Sequence, residues 1–329
     1  MENQSGESGR RKGENMETPG MERRRAERRS FPRTITPLSM PAYEGDSLLR
    51  FPLKPGELEQ VVRAALDEDQ AFNDITTIAT VVSDRRARAT LVARGTGTIC
   101  GVPLALEAFR LTDPKATIRV DREDAWRVSK GDPILFVTGH ARGLLGAERV
   151  ALNFMQRLSG IASLTARFVD AVAHTNAKIL DTRKTTPGWR VLEKYAVRCG
   201  GGTNHRMDLA SSVLIKDNHL AACDNDISLA VKRVRDMAPA GTQIEVECET
   251  PRQVEEAVEA GAHIVLLDNM SLDDLRESVE IAKGRVKTEA SGGVNLSTVR
   301  AIAETGVDFI SVGSLTHSPP ALDLALDFD

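Results

Sequence analysis

In the second half of the chain, apolar residues come in short runs that each stop at a polar cluster. AKILDTRK (177–184), SSVLIKDNH (211–219), QIEVECET (243–250), HIVLLDN (263–269), VKTEASGG (286–293) and DFISVGS (308–314) read as strands. Between them, PRQVEEAVEAG, SLDDLRESVEIAKG and NLSTVRAIAETG carry apolar residues at helical spacing and glycines placed as C-caps. Short apolar strands alternating with helices predict a parallel sheet covered on its outer face, and the number of units favours a barrel over an open sheet. In either architecture ligands bind at the carboxyl ends of the strands.

The first half follows a different pattern. LEQVVRAALDED (58–69) has helical spacing, whereas RARATLVARGTGTICG (86–101) and DPILFVTGHARG (132–143) alternate as half-buried strands do, so an antiparallel sheet with a helix or two is expected. A long helix follows over 147–175, with a bend expected at Ser159-Gly160. Residues 1–45 have few aliphatic side chains and predict a disordered basic tail. The resulting division is tail 1–45, an α/β sandwich domain over 46–150, an α/β barrel over 151–314, and a segment 315–329 expected to pack back on the sandwich.

Composition changes this picture little. At 329 residues, 41% apolar, the chain is long enough for a sizeable core. The net charge of -4 conceals nine Lys/Arg against six Glu within residues 1–40, which leaves a mildly acidic body. ERRRAERRS (22–30) admits a nucleic-acid or targeting reading, but its interspersed Glu residues favour a solvated charge run. No apolar run approaches the roughly 20 residues of a membrane span, and the first residues show no apolar signal core, so a cytoplasmic protein without membrane or nucleic-acid partners is expected. The four cysteines lack metal-ligand spacing and are expected as free thiols.

The strand ends hold the candidate chemistry. They collect Arg183 and Lys184, then His205 and Arg206 from the glycine-rich loop CGGGTNHRMD, then Lys216, Glu247, Asp268, Ser291-Gly292-Gly293 and Gly313-Ser314. Each has an ordinary explanation: a solvated cation, a satisfied loop histidine, a helix-capping Asp. Several cations on one rim, however, repel one another and call for a polyanionic ligand. The SGG and VGS turns, each before a helix, offer backbone N–H groups to a phosphate. Glu247 and Asp268 end neighbouring strands, where they suit hydrated Mg²⁺ or ribose hydroxyls. The surplus cations suit a second, carboxylate-bearing substrate. A Schiff-base lyase using Lys184 or Lys216 is an alternative reading of the same rim.

DTRKTTPGWRVLEKYAVRCGGGTNHRMDLASSVLIKDNH (181–219), with ERVALNFMQRLSGIAS (148–163), IEVECET, LLDN, EASGGV and VGSLTHS in order, resembles the quinolinate phosphoribosyltransferase family over about residues 50–329. The resemblance implies transfer of phosphoribosyl from 5-phosphoribosyl 1-pyrophosphate to quinolinate with loss of CO₂ and pyrophosphate, giving nicotinate mononucleotide for NAD biosynthesis. It also implies Mg²⁺, an incomplete TIM-like barrel of the type II phosphoribosyltransferase class, and a homodimer, or a higher oligomer, with sites at the subunit interface. By motif position, Thr182, Arg183, His205, Arg206 and Lys216 correspond to substrate contacts, chiefly to the quinolinate carboxylates. Lys184 falls between the two substrates, and Arg149 matches an arginine donated by the neighbouring subunit. Glu247 and Asp268 match the ribose-side and metal-side carboxylates, binding Mg²⁺ directly or through water. Ser291, Gly292, Gly293 and Gly313 match the 5-phosphate cradle. Asn73, in AFNDITT, stands where the family usually has Gly.

Overall fold

The computed structural model describes residues 49–329, so the tail reading for 1–45 lies outside the described residues. The first part contains helices α1 (Pro55–Glu68) and α2 (Ile75–Thr80), strands β1 (Arg86–Ala93) and β2 (Gly97–Thr98), and helix α3 (Val102–Thr112). Strands β3 (Thr117–Val120), β4 (Arg127–Val128) and β5 (Pro133–His140) complete it. Asn73 sits in a single 3₁₀ turn, and Asp74 behind it caps α2 by accepting the Thr77 N–H at 3.1 Å. The main sheet has the order β12-β1-β5-β3 with antiparallel pairing between every neighbour. Its first strand in that order, β12 (Leu324–Phe328), is the chain terminus, paired on β1 with Leu326 opposite Leu91. Leu91, Ile134 and Leu135 of its strands join Leu104 and Phe109 of α3 in one buried cluster.

Helix α4 (Ala141–Val172) runs for 32 residues through the boundary drawn at 150/151, so one helix serves both parts. It also runs unbroken through Ser159-Gly160, where a bend was expected. Two contacts there account for the residue types. The Ser159 hydroxyl accepts the Cys100 N–H at 2.9 Å and donates to the Cys100 carbonyl at 3.1 Å. A Cβ on residue 160 would collide with the carbonyl of Pro320, so glycine is what lets the C-terminal chain cross the helix on its way to β12.

The second part is made of βα units. In order come β6 (Lys178–Leu180), α5 (Arg190–Cys199), β7 (Val213–Ile215), α6 (Asp217–Ala221), α7 (Ile227–Met237) and β8 (Ile244–Cys248). There follow α8 (Pro251–Ala260), β9 (Ile264–Asp268), α9 (Leu272–Ala282), β10 (Lys287–Ser291), α10 (Val299–Ala303), β11 (Phe309–Ser311) and α11 (Ser314–His317). The sheet order is β6-β11-β10-β9-β8-β7, parallel throughout. Asp226, Thr250 and Ser271 accept N3 backbone N–H groups at the starts of α7, α8 and α9, so helix entry is locally encoded.

The ring of six strands is not closed by hydrogen bonds, because β6 and β7 form its two edges. The glycine-rich segment after α5 lines the β6 edge instead. Thr203 donates its N–H to Ile179 and accepts that of Asp181. The sheet nevertheless curls, since His205 beyond that edge reaches Glu245 on β8 and Glu289 on β10 across the interior. Side chains alternate along each strand, so Lys216, Glu247, Asp268, Ser291 and Gly313 face the same mouth. Among the described residues no helix is long and apolar enough to cross a membrane.

Candidate active site

At the carboxyl ends of the parallel strands lies a cavity of about 710 Å³. Its lining includes Thr182, Arg183, Lys184, His205, Arg206, Lys216, Glu247, Asp268, Ser291, Gly292, Gly293 and Gly313. Segments far apart in sequence are thus brought to one mouth. Arg149 is not among them: it is exposed on α4 and does not line this cavity.

The cationic wall is built on two loops. After β6 the chain turns tightly, with the Lys184 N–H donating to the Thr182 hydroxyl at 3.1 Å and the Thr185 N–H to the Arg183 carbonyl at 2.9 Å. Arg183 keeps a buried Nε with no hydrogen-bond partner among the described residues, a donor that an anion in the cavity would satisfy. Arg206 is buried and donates through Nη1 to the Ser212 carbonyl at 3.0 Å. Burial first, and the nearby Arg183 guanidinium second, press its pKa down, which is the cost of two cations sharing one wall. Lys216 makes an ion pair with Glu247.

A fully buried ion pair holds the second loop against the first. Lys194 of α5 pairs with Asp181 and donates to the His205 carbonyl at 2.9 Å. Asp181 also accepts the His205 N–H at 2.9 Å and the Asn204 amide at 2.6 Å. Burial pushes Asp181 up and Lys194 down, while the charge of each and the hydrogen bonds from His205 and Asn204 oppose that push and favour the ion pair.

Beneath this wall is a cluster that the strand-end pattern did not reveal. The His205 Nε2 lies 3.2 Å from Glu245 and 3.6 Å from Glu289, and its Nδ1 accepts the Arg206 N–H at 2.7 Å. Both ring nitrogens are therefore engaged within the protein. Burial pushes Glu289 up to about 8, and the charge of Glu245 adds to the effect. Burial alone would lower His205, but Glu289 and Glu245 outweigh it and raise the imidazole to about 9. The Nδ1 hydrogen bond from Arg206 opposes a second proton on the ring, so the geometry favours Nε2–H directed at the carboxylates. The available sign was an acidic residue two positions before a strand-end site residue, Glu245 before Glu247 and Glu289 before Ser291, which alternation sends to the same interior.

The opposite wall is built for an anion. Gly292 and Gly293 take φ of 93° and 60°, a left-handed turn open to glycine, and a Cβ on Gly292 would collide with the Asn269 side chain. Successive N–H groups in such a turn form a concavity for a phosphate. A Cβ on Gly313 would come within 3.1 Å of the Lys184 side chain, so that lysine's stem lies over the second small-residue turn. Asn269 and His317 line this side too and were not singled out from sequence; His317 sits three residues beyond the VGS turn.

Glu247 and Asp268, on adjacent strands β8 and β9, present hard oxygen donors suited to Mg²⁺. Lys216 occupies one oxygen of Glu247, and the Asn269 amide donates to Asp268 at 2.7 Å. Each carboxylate keeps a second oxygen, an arrangement that fits a hydrated ion held through water.

Comparisons with known proteins agree with this architecture. The family model for the quinolinate phosphoribosyl transferase N-terminal domain matches residues 74–159, and that for the C-terminal domain matches residues 161–327. A probable nicotinate-nucleotide pyrophosphorylase [carboxylating] of Bacillus subtilis is 41% identical over 271 residues, covering 82% of this chain and 93% of its own. The nicotinate-nucleotide pyrophosphorylase [carboxylating] of Arabidopsis thaliana, described as chloroplastic, is 39% identical over 324 residues, covering 91% of this chain and 92% of its own. The solved structure of the Francisella tularensis nicotinate-nucleotide pyrophosphorylase superposes with a TM-score of 0.79 at 39% identity, over 85% of this chain and 99% of that one. With both domains matched and a shared fold at this level of identity, the chain belongs to the quinolinate phosphoribosyltransferase family.

Proposed function

We propose that the chain is a carboxylating nicotinate-nucleotide pyrophosphorylase that works through the residues gathered at this mouth. Quinolinate attacks the anomeric carbon of 5-phosphoribosyl 1-pyrophosphate through its ring nitrogen; the C–O bond to pyrophosphate breaks, CO₂ then leaves C2 of the ring, and a proton from solvent adds at C2. The observation that carries the reading is the paired walls of one cavity, Arg183, Arg206 and Lys216 on one side and the Gly292-Gly293 turn on the other.

In this reading Arg183, with its unpartnered Nε, and Arg206 hold the quinolinate carboxylates, and Lys216 and Thr182 complete that side. His205 sets the floor, its Nε2–H directed at Glu245 and its backbone fixed by Asp181. Ser291, Gly292, Gly293 and Gly313 cradle the 5-phosphate. Lys184 reaches between the two substrates, where its charge stabilises the negative charge that builds on the departing pyrophosphate. Glu247 and Asp268 face the ribose and stabilise the positive charge that grows on the sugar as the bond to pyrophosphate loosens. Mg²⁺, held by Glu247 and Asp268 through water, supplies charge neutralisation to the pyrophosphate when bound. No protein nucleophile is needed, and the positively charged ring formed by N-ribosylation accepts the electrons left by CO₂. Orientation and charge placement carry the rate.

The assembly in this reading is a homodimer in which Arg149 serves the partner's cavity, since it lies outside its own. Mixing Arg149→Ala with Lys184→Ala subunits restores part of the activity if one site per mixed dimer is intact; verified mixing without recovery refutes the sharing. The activity itself is tested by supplying quinolinate or nicotinate, each with 5-phosphoribosyl 1-pyrophosphate and Mg²⁺. The expected outcome is nicotinate mononucleotide with one CO₂ per product from quinolinate alone. Product from nicotinate, without CO₂, overturns the substrate assignment.

A further inference from the structure

Lys184 is exposed and lies on a loop, yet both its backbone N–H and its carbonyl are hydrogen-bonded to threonine hydroxyls. The hydroxyl of Thr316, fully buried in α11, donates to the Lys184 carbonyl at 2.7 Å and makes a longer contact to the Gly313 carbonyl at 3.4 Å. Thr316 is held in turn from the barrel's outer layer. Arg157 of α4 donates through Nη2 to the Thr316 carbonyl at 2.6 Å and to Glu193 of α5 at 2.9 Å. Glu193 is fully buried and closes the circuit on the Lys184 loop, accepting the Thr186 hydroxyl at 2.8 Å and the Thr186 N–H at 3.1 Å. The loop is therefore gripped at two points, the Lys184 carbonyl and Thr186 two residues later, by groups tied to each other. The Lys184 stem meanwhile rests against Gly313, the turn that opens α11.

A buried carboxylate that accepts three hydrogen bonds is costly to assemble, and none of Arg157, Glu193 and Thr316 lines the cavity. What they share is the Lys184 loop. We infer that Thr316, buttressed by the Arg157–Glu193 pair, is a positioning residue that locks Lys184 over the Gly313 turn and so couples the catalytic lysine to the phosphate end of the site. The inference rests on the role given to Lys184 above. It differs from the Asp181–Lys194 pair, which fixes the neighbouring loop that bears His205 and Arg206. Glu193 and Lys194, adjacent on α5 and both fully buried, thereby divide the two cation-bearing loops between them.

The test is a pair of kinetic cycles on the full-length protein. Thr316→Val keeps the volume and removes the donor; it is expected to lower kcat by roughly tenfold or more, because small misplacement of a reacting group is costly. Quinolinate affinity measured without the phosphoribosyl donor stays unchanged, and Thr316→Ser restores kcat. In the residual activity of Lys184→Ala, read at high enzyme concentration, Thr316→Val causes no further loss, because its effect runs through the lysine. Glu193→Gln, which weakens the buttress from the other side, shows the same non-additivity and serves if Thr316→Val does not fold. A wild-type kcat in Thr316→Val alongside an impaired Lys184→Ala overturns the inference alone, as does an equal fold-loss in both backgrounds. Full activity in Lys184→Ala overturns the reading of the lysine and the inference with it.

Discussion

In residues 49–150 the buried interior is aliphatic and aromatic, and Asp113 is the one charged residue buried there among those described. It serves a local purpose, accepting the His140 N–H at 2.7 Å and the Lys115 N–H at 3.1 Å where chain segments turn. Beyond residue 150 the buried set includes Asp181, Glu193, Lys194, His205, Arg206, Glu245, Glu247 and Glu289. Burying charge costs several kcal/mol per ion unless it is paired, so the antiparallel sheet is built for stability, whereas the parallel one gives up stability to hold a site. The two sheets are not independent, since α4 runs through both parts and the chain returns after α11 to complete the antiparallel sheet with β12.

The largest effect that would sharpen this contrast is on rate. Lys184→Ala is expected to lower kcat by about a hundredfold or more with little change in melting temperature, because the side chain is exposed; activity near wild type would break the assignment. Next, Leu91→Ala in the antiparallel core, at a fully buried position, is expected to cost about 3 kcal/mol of stability while the folded fraction keeps its kcat. Denaturant titration and active-site-normalised kinetics read the two quantities separately, and a kcat loss without a stability loss would erase the division of labour.

A smaller effect concerns pH. Glu289 has its pKa raised from an ordinary 4.5 to about 8 by burial and by the charge of Glu245. A group raised on folding contributes stability that is fully present below 4.5 and is lost as pH rises through about 8. Melting temperature should therefore decline across that window, and Glu289→Gln, neutral throughout, should flatten the decline. An unchanged slope in the variant would mean that Glu289 is not the group being ionised. The smallest effect belongs to the exposed pair between Arg94, just past β1, and Asp327 of β12: Arg94→Ala is expected to cost less than about 1 kcal/mol. A larger loss in denaturant titration would show that closure of the antiparallel sheet depends on surface charge and not on Leu324 and Leu326.

Much of the site was legible along the chain because strand ends in a parallel sheet converge by construction. Arg183, Lys184, Lys216, Glu247, Asp268 and the two glycine turns each follow a short apolar run, and the βα rhythm alone sends them to one rim. His205 and Arg206 follow no strand, and what brings them in is the Thr203 bridge along the open edge of β6. The long helix was legible too, but not why Gly160 is tolerated within it, because the C-terminal segment that crosses there is 160 residues away.

Apolar periodicity and strand-end chemistry, both local properties, were enough to specify the layers, the parallel mouth and most of the candidate residues gathered there. The supporting charges follow another logic. Neither Glu193 and Lys194, in RVLEKYAVRC, nor Arg157 is marked as special by the apolar pattern or by a strand end. Both α5 residues are instead fully buried, and the partners that make burial tolerable come from other segments: Arg157 on α4, 36 residues before Glu193, and Asp181 after β6, 13 residues before Lys194. Whether a charge lies inside depends on what covers it and what pairs with it, and both are set by the three-dimensional path of the chain.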